Sequence, residues 1–160
     1  MSKQTTILLV EDSKLCVHAM KNVIEHKAST PVNLLHAQTM QNALSTLKDS
    51  AGNIDLILLD LGLPDTSSDE ESFTKIKSAA PNTPIVVLTG RHDHDFANHI
   101  VMDGAQDYVN KDEVSANPKL LINAIDFALS RHRNQEKVVE KLQQKEQVIS
   151  WMSGQYSGTA

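Results

Sequence analysis

Short apolar runs recur along the first part of the chain, at residues 7–10, 32–37, 54–59 and 85–88, with a weaker one at 108–109. These runs are continuous rather than alternating, which suits strands covered on both faces. Between them, apolar residues return at helical spacing. Cys16, Met20 and Val23 form one stripe; Met40, Ala43 or Leu44, Leu47 and Ala51 form a second; Phe73, Ile76 and Ala80 form a third. Phe96, Ile100 and Val101 belong to a fourth, and Leu121 or Ile122, Ile125 and Ala128 or Leu129 open the last. Five strands alternating with five helices predict an α/β domain, doubly wound as (βα)5 around a five-stranded parallel sheet. The punctuation agrees. Ser13 and Thr39 are placed to cap the first two helices, and Gly52 and Gly104 fall where helices end. Pro64 and Pro81 fall in loops, and Pro84 precedes the fourth strand, where a missing N–H matters least.

The character changes after residue 129. Residues 131–152 contain no glycine or proline and are rich in Gln, Glu and Lys. Val138, Leu142, Ile149 and Met152 follow alternating steps of four and three if Lys145 fills the vacant step, a short heptad seam with one polar interruption. The pattern predicts an extended C-terminal helix that continues beyond the domain. A domain over 1–130, a helix or coiled-coil linker over 131–152 and a flexible polar end over 153–160 follow.

At 160 residues the chain suits one domain with an appendage. Its hydrophobic fraction of 40% and charged fraction of 22% are those of an ordinary globular protein. A formal net charge of -5 gives no broad electrostatic reason to contact nucleic acid or an anionic membrane. Cys16 is the single cysteine, so no intrachain disulfide forms, and there is no CxxC pair. The first apolar run is too short for a signal peptide or a membrane span, and a cytoplasmic location is expected.

In parallel α/β sheets, ligands bind beyond the carboxyl ends of the strands, near the reversal of strand order. The residues there are informative. The first strand ends in Glu11 and Asp12, the third in Asp60 and the fourth in Thr89, while Lys111 follows the fifth. Three neighbouring carboxylates repel one another and imply a cation. Hard oxygen ligands with water completing the shell suit Mg2+, for which Mn2+ can substitute. A lysine and a hydroxyl suit the remaining oxygens of a phosphoryl group, so the chemistry is that of a phosphoaspartate site.

The segments ILLVED (7–12), LILLDLGLPD (56–65), PIVVLTG (84–90) and GAQDYVNKDE (104–113) resemble the signature blocks of response-regulator receiver domains. The likeness covers about residues 5 to 130, and four blocks in order are far more specific than any one. It implies a flavodoxin-like fold in which Asp60 is the phosphoacceptor and Asp12 a direct metal ligand. Glu11 would act through metal-bound water, the Gly62 carbonyl would supply another ligand, and Lys111 would contact the phosphoryl group. Thr89 and Tyr108 would be a switch pair, with hydroxyl and ring moving together. The implied partner is a histidine kinase or phosphotransfer protein, and the implied response is a switch in an output domain beyond residue 160. A homodimer would form through the C-terminal helix or through the face of the fourth helix, fifth strand and fifth helix.

The sequence departs from the family pattern in two places. Asp112 stands where a proline usually follows the lysine, so a cis X-Pro bond is not expected there. A common glycine after the PD pair is absent, and an acidic stretch, Ser67, Ser68, Asp69, Glu70 and Glu71, occupies that loop. Gly62 and Arg91 occupy positions that influence phosphoryl lifetime in the family, and Gly90 is small enough to leave the group accessible.

Simpler readings exist for each residue. Glu11 and Asp12 could be a helix-start acidic pair, Asp60 a loop cap, and Thr89 an ordinary strand end. The run His92, Asp93, His94, Asp95 suits a polar helix start better than a metal site, because its histidines are two apart. Cys16 reads as a core residue. Residues 131–152 could be a single solvated helix. An aspartyl phosphohydrolase would want an acid two residues after the nucleophile, where Gly62 stands, and a phosphorylation-silent interaction module would not need all five site residues. No GxGxxG turn or Walker-type loop supports nucleotide binding.

Overall fold

The computed structural model describes residues 3–50, 52–90 and 94–157. In chain order the elements are β1 (Thr5–Val10), α1 (Lys14–Lys27), β2 (Val32–Ala37), α2 (Met40–Asp49), β3 (Leu56–Asp60) and α3 (Asp69–Ala79). β4 (Ile85–Thr89), α4 (His94–Met102), β5 (Asp107–Asn110), α5 (Lys111–Ala116) and α6 (Lys119–Ser157) follow. The strands form one parallel sheet in the order β2-β1-β3-β4-β5, the doubly wound arrangement expected from the sequence. Every residue of β3 and β4 is buried, which is why those runs are continuously apolar.

Successive side chains of a strand point to opposite faces, so each strand feeds two cores. Leu8, Val10, Ile57, Leu59, Ile85 and Val87 pack against α2, α3 and α4, through residues such as Met40, Phe73, Ile76 and Ile100. Ile7, Leu9, Leu56, Leu58, Val86 and Leu88 pack on the other face against Met20, Ile24, Val114, Leu121 and Ile125 of α1, α5 and α6. Each fully enclosed Leu or Ile contributes roughly 1.5–3 kcal/mol of transfer free energy.

Caps place the helices. Ser13 and Thr39 accept the backbone N–H groups of Cys16 and Asn42, as their sequence positions predict. Helix α4 ends in a Schellman turn, with Ala105 N–H donating to the Ile100 carbonyl and Gly104 N–H to that of Val101. Gly104 sits there at φ 113, a region that side chains strain to reach.

Four expectations need correction. Asp69, Glu70 and Glu71 are the first turn of α3, not a loop, because Ser68 caps that helix and three acids favour its positive end. Glu71 accepts from both the backbone and hydroxyl of Ser67, and pairs with Lys75 at 2.8 Å. Among the described residues six helices form rather than five. Pro118 disfavours helical backbone at Asn117, which is extended at φ -142, so α5 stops before α6 begins. Cys16 is only half-buried. Helix α6 runs to Ser157, five residues past the expected boundary at Met152, since one glycine in a helix costs only about 1 kcal/mol.

By compactness the chain divides into residues 1–129 and 130–160. No helix among the described residues is long and apolar enough to cross a membrane.

The loop after β3 is tied to α2 by a contact the sequence did not signal. Asp65 accepts the N–H groups of Met40 and Gln41 at 2.8 and 3.0 Å, at the positive end of α2. These bonds hold the Asp65 carboxyl below its ordinary value. A carboxyl with a depressed folded-state pKa stabilises above the unfolded-state value and loses that contribution as pH falls through the folded one. Asp65→Asn should therefore lower stability by about 0.5 kcal/mol at neutral pH. In urea unfolding series, the gap from wild type should close as pH drops below the usual carboxylate range.

Candidate functional site

The order of strands reverses between β1 and β3, the two strands that lead outward from the centre in opposite directions. Their carboxyl ends deliver Glu11, Asp12 and Asp60 to one rim. Oxygens of these three carboxylates all lie within 4.8 Å of one another, and no other such cluster of potential ligands occurs among the described residues. Glu11 and Asp60 are 1% and 8% exposed, whereas Asp12 is open to solvent.

Lys111 enters this group from the first turn of α5. Its Nζ is 2.7 Å from Glu11 Oε2 and 3.3 Å from Asp60 Oδ2. The second oxygen of each acid is held by backbone, with Ser13 N–H donating to Glu11 Oε1 at 3.1 Å and Gly62 N–H to Asp60 Oδ1 at 3.2 Å. His36 Nε2 lies 2.8 Å from the Glu11 carbonyl, fixing the backbone where β1 ends. Glu11 is thus the ion-pair partner of Lys111.

The titration behaviour reports the charge balance. Burial pushes the Glu11 carboxyl up, and the Asp60 charge adds to that push, so the lowering pull of Lys111 is overcome. Burial alone would lower the Lys111 ammonium, but the Glu11 contact and the charges of Asp60 and Glu11 outweigh it and raise it. The rise at Lys111 comes from the two carboxylates beside it, whereas that at Glu11 comes first from burial. One ammonium does not balance three carboxylates.

Thr89 ends β4 and is 7% exposed; Tyr108 lies in β5 and is half-buried. Val87 pairs with Tyr108 and Thr89 with Asn110, so period-two alternation puts Thr89 and Tyr108 on the same sheet face as Val87. A Cβ added at Gly90 would meet nothing within 4 Å, so the approach at that point is open. At Gly62 an added Cβ would sit 3.9 Å from Asp60 Oδ1, an ordinary contact. Arg91, His92 and Asp93 lie outside the described residues.

Two supporting residues escaped the sequence reading. Asn110, 2% exposed, caps α5 by accepting the N–H groups of Asp112 and Glu113 at 2.8 and 3.3 Å. This also accounts for the missing proline, because the N–H of residue 112 is used. The signal was present as Asn before Lys-Asp-Glu. Ser72, fully buried, donates to the Leu61 carbonyl at 2.8 Å and lies 2.6 Å from the Thr66 hydroxyl, pinning the loop behind Asp60. Nothing local to Ser72 could have revealed that.

The sheet topology and this constellation define a receiver. The chain belongs to the response regulator receiver domain family, whose model matches residues 7–126. It is a receiver domain of two-component response regulators. It is 30% identical over 107 residues to the KDP operon transcriptional regulatory protein KdpE of Escherichia coli (strain K12), a match covering 67% of this chain and 44% of that protein. The chain spans less than half the length of the relatives it matches by sequence. Among solved structures it is similar to the phosphorylated cyanobacterial phytochrome response regulator RcpA, with TM-score 0.67 and 26% identity over 81% of this chain and 96% of that one. It is also similar to the Mn(2+)-bound form of response regulator Rcp1, with TM-score 0.57 and 27% identity over 66% and 80%.

Lys111→Met leaves the Glu11 carboxylate buried without its counter-charge. The expected loss at neutral pH is about 2 kcal/mol. Because protonation of Glu11 relieves that cost, the gap from wild type should narrow on acidification, as read from chemical unfolding at several pH values.

Proposed function

We propose that Asp60 accepts a phosphoryl group from the phosphohistidine of a histidine kinase or phosphotransfer protein, and that the modified domain switches an output domain or partner. The observation that carries this reading is the convergence of Glu11, Asp12, Asp60 and Lys111 on one rim with a surplus of negative charge. Similarity to a phosphorylated and to a metal-bound regulator supports it.

The donor set fits a hard divalent cation, Mg2+ or Mn2+. Asp12, Asp60 and the Gly62 carbonyl would hold it directly, and Glu11 through water; when bound, it neutralises charge on the phosphoryl oxygens. An Asp60 carboxylate oxygen attacks phosphorus, an O–P bond forms as the N–P bond to imidazole breaks, and the imidazole keeps the electron pair and takes up a proton. Lys111 donates to a phosphoryl oxygen, a charge-assisted bond that Glu11 gives up in part. The Thr89 hydroxyl then turns toward the new oxygens, and Tyr108 repacks on the same face of the sheet. The domain promotes only its own phosphotransfer and hydrolysis, and it works in the cytoplasm where the kinase is charged.

Incubation with Mg2+ and acetyl phosphate should add one phosphoryl group by intact mass. Asp60→Asn or a chelator should abolish the addition. No labelling of the wild type by either acetyl phosphate or a competent kinase would overturn the assignment.

A protein donor also needs a place to dock. Leu15, in the first turn of α1 and three residues from Asp12, is 80% exposed, an unusual position for a large apolar side chain. Leu15→Ala should slow transfer from a phosphohistidine protein about fivefold, the equivalent of ~1 kcal/mol of interface contact, while labelling by acetyl phosphate is unchanged.

A further inference from the structure

Between residues 133 and 154 every residue of α6 is exposed, yet the segment carries many large apolar side chains. Val138, Leu142, Ile149 and Met152 are 56%, 55%, 63% and 51% exposed. They fall at the d, a, a and d positions of one heptad frame, with Gln135 and Lys145 at the remaining core positions. A helix with such a seam is incompletely buried as a monomer.

The charges in the same frame identify what covers it. Lys141 falls at g and Glu146 at the following e. In a parallel pair of helices, g of one strand faces the next e of the other. Two identical strands therefore set Lys141 of each copy against Glu146 of the second, giving two symmetric opposite-charge contacts. An antiparallel pair would set e against e and g against g, without that match. Lys145 in the core also limits the assembly, because its charge reaches water more readily from a two-stranded core than from a more crowded one. Flanking Val139 at e and Val148 at g widen the seam, while Glu136, Lys137, Glu140, Gln143, Gln144 and Gln147 make the outer face polar apart from Trp151 at c, which is 63% exposed.

We propose that residues 135–152 form a parallel two-stranded coiled coil with a second copy of this chain, in register at Lys145. Five turns, about 27 Å at 1.5 Å per residue, give a short seam. Its association is accordingly concentration-dependent.

Sedimentation equilibrium of the full 160-residue chain, from about 1 µM to about 1 mM, reads this directly. The wild type should move from 17.6 kDa toward twice that mass as concentration rises. Lys145→Leu, which completes the seam without touching the receiver core, should tighten association at least about tenfold. Leu142→Glu with Ile149→Glu should leave a monomer throughout. Lys141→Glu should weaken the dimer, and adding Glu146→Lys should restore it, since the exchanged charges still meet in a parallel pair. A wild type that stays monomeric, a three-chain mass, or a dimer indifferent to the double Glu variant would overturn the proposal. None of these readings depends on whether Asp60 takes a phosphoryl group.

Discussion

The rest of this molecule is arranged around an imbalance of charge: one lysine ammonium set among three carboxylates at the ends of parallel strands. Glu11 is enclosed almost completely and Asp60 nearly so, so neither can rely on water to disperse its charge. Lys111 satisfies part of that demand and leaves the remainder as an attraction for further cations.

Such an imbalance is tolerable because the scaffold beneath it is rigid. β1, β3 and β4 are packed on both faces by aliphatic side chains that leave no room for slippage. The rim loops are then fixed to one another rather than only to themselves. Asp65 joins the β3–α3 loop to the start of α2, Ser72 joins α3 to the Leu61 carbonyl, His36 joins β2 to the end of β1, and Asn110 sets the first turn of α5 from which Lys111 reaches inward. The first three are polar bonds from a side chain to a distant segment's backbone, and that of Asn110 is a local helix cap. Their joint effect is to fix the rim on which Glu11, Asp12, Asp60 and Lys111 meet.

The segment beyond residue 129 obeys different physics. In the receiver most large apolar side chains are enclosed, Leu15 and Phe127 being exceptions; after it, Val138, Leu142, Ile149 and Met152 remain open to solvent along one seam. The same helix thus begins as a core element and continues with a surface suited to association. The carboxylate site and the exposed seam occupy separate stretches of sequence.

Much of the receiver was legible from sequence. β3 and β4 are legible because strands buried on both faces read as continuous apolar runs, and Glu11, Asp12, Asp60, Thr89 and Lys111 are legible because they lie at or just beyond the ends of such runs. Ser13, Thr39 and Gly104 marked helix ends through backbone preferences that act locally. The acidic stretch at residues 67–71 reads as loop by composition, although its Ser-x-x-Glu spacing is a helix start, and α5, with six residues, is too short to show a period. What only tertiary structure decided were the partnerships across long separations: Lys111 with Glu11, Asp65 with the first turn of α2, Ser72 with Leu61. A sequence fixes which groups can pair, through local spacing and burial. Which of them do pair depends on chain segments meeting in space, and that is settled only when the whole sheet and its helices have packed.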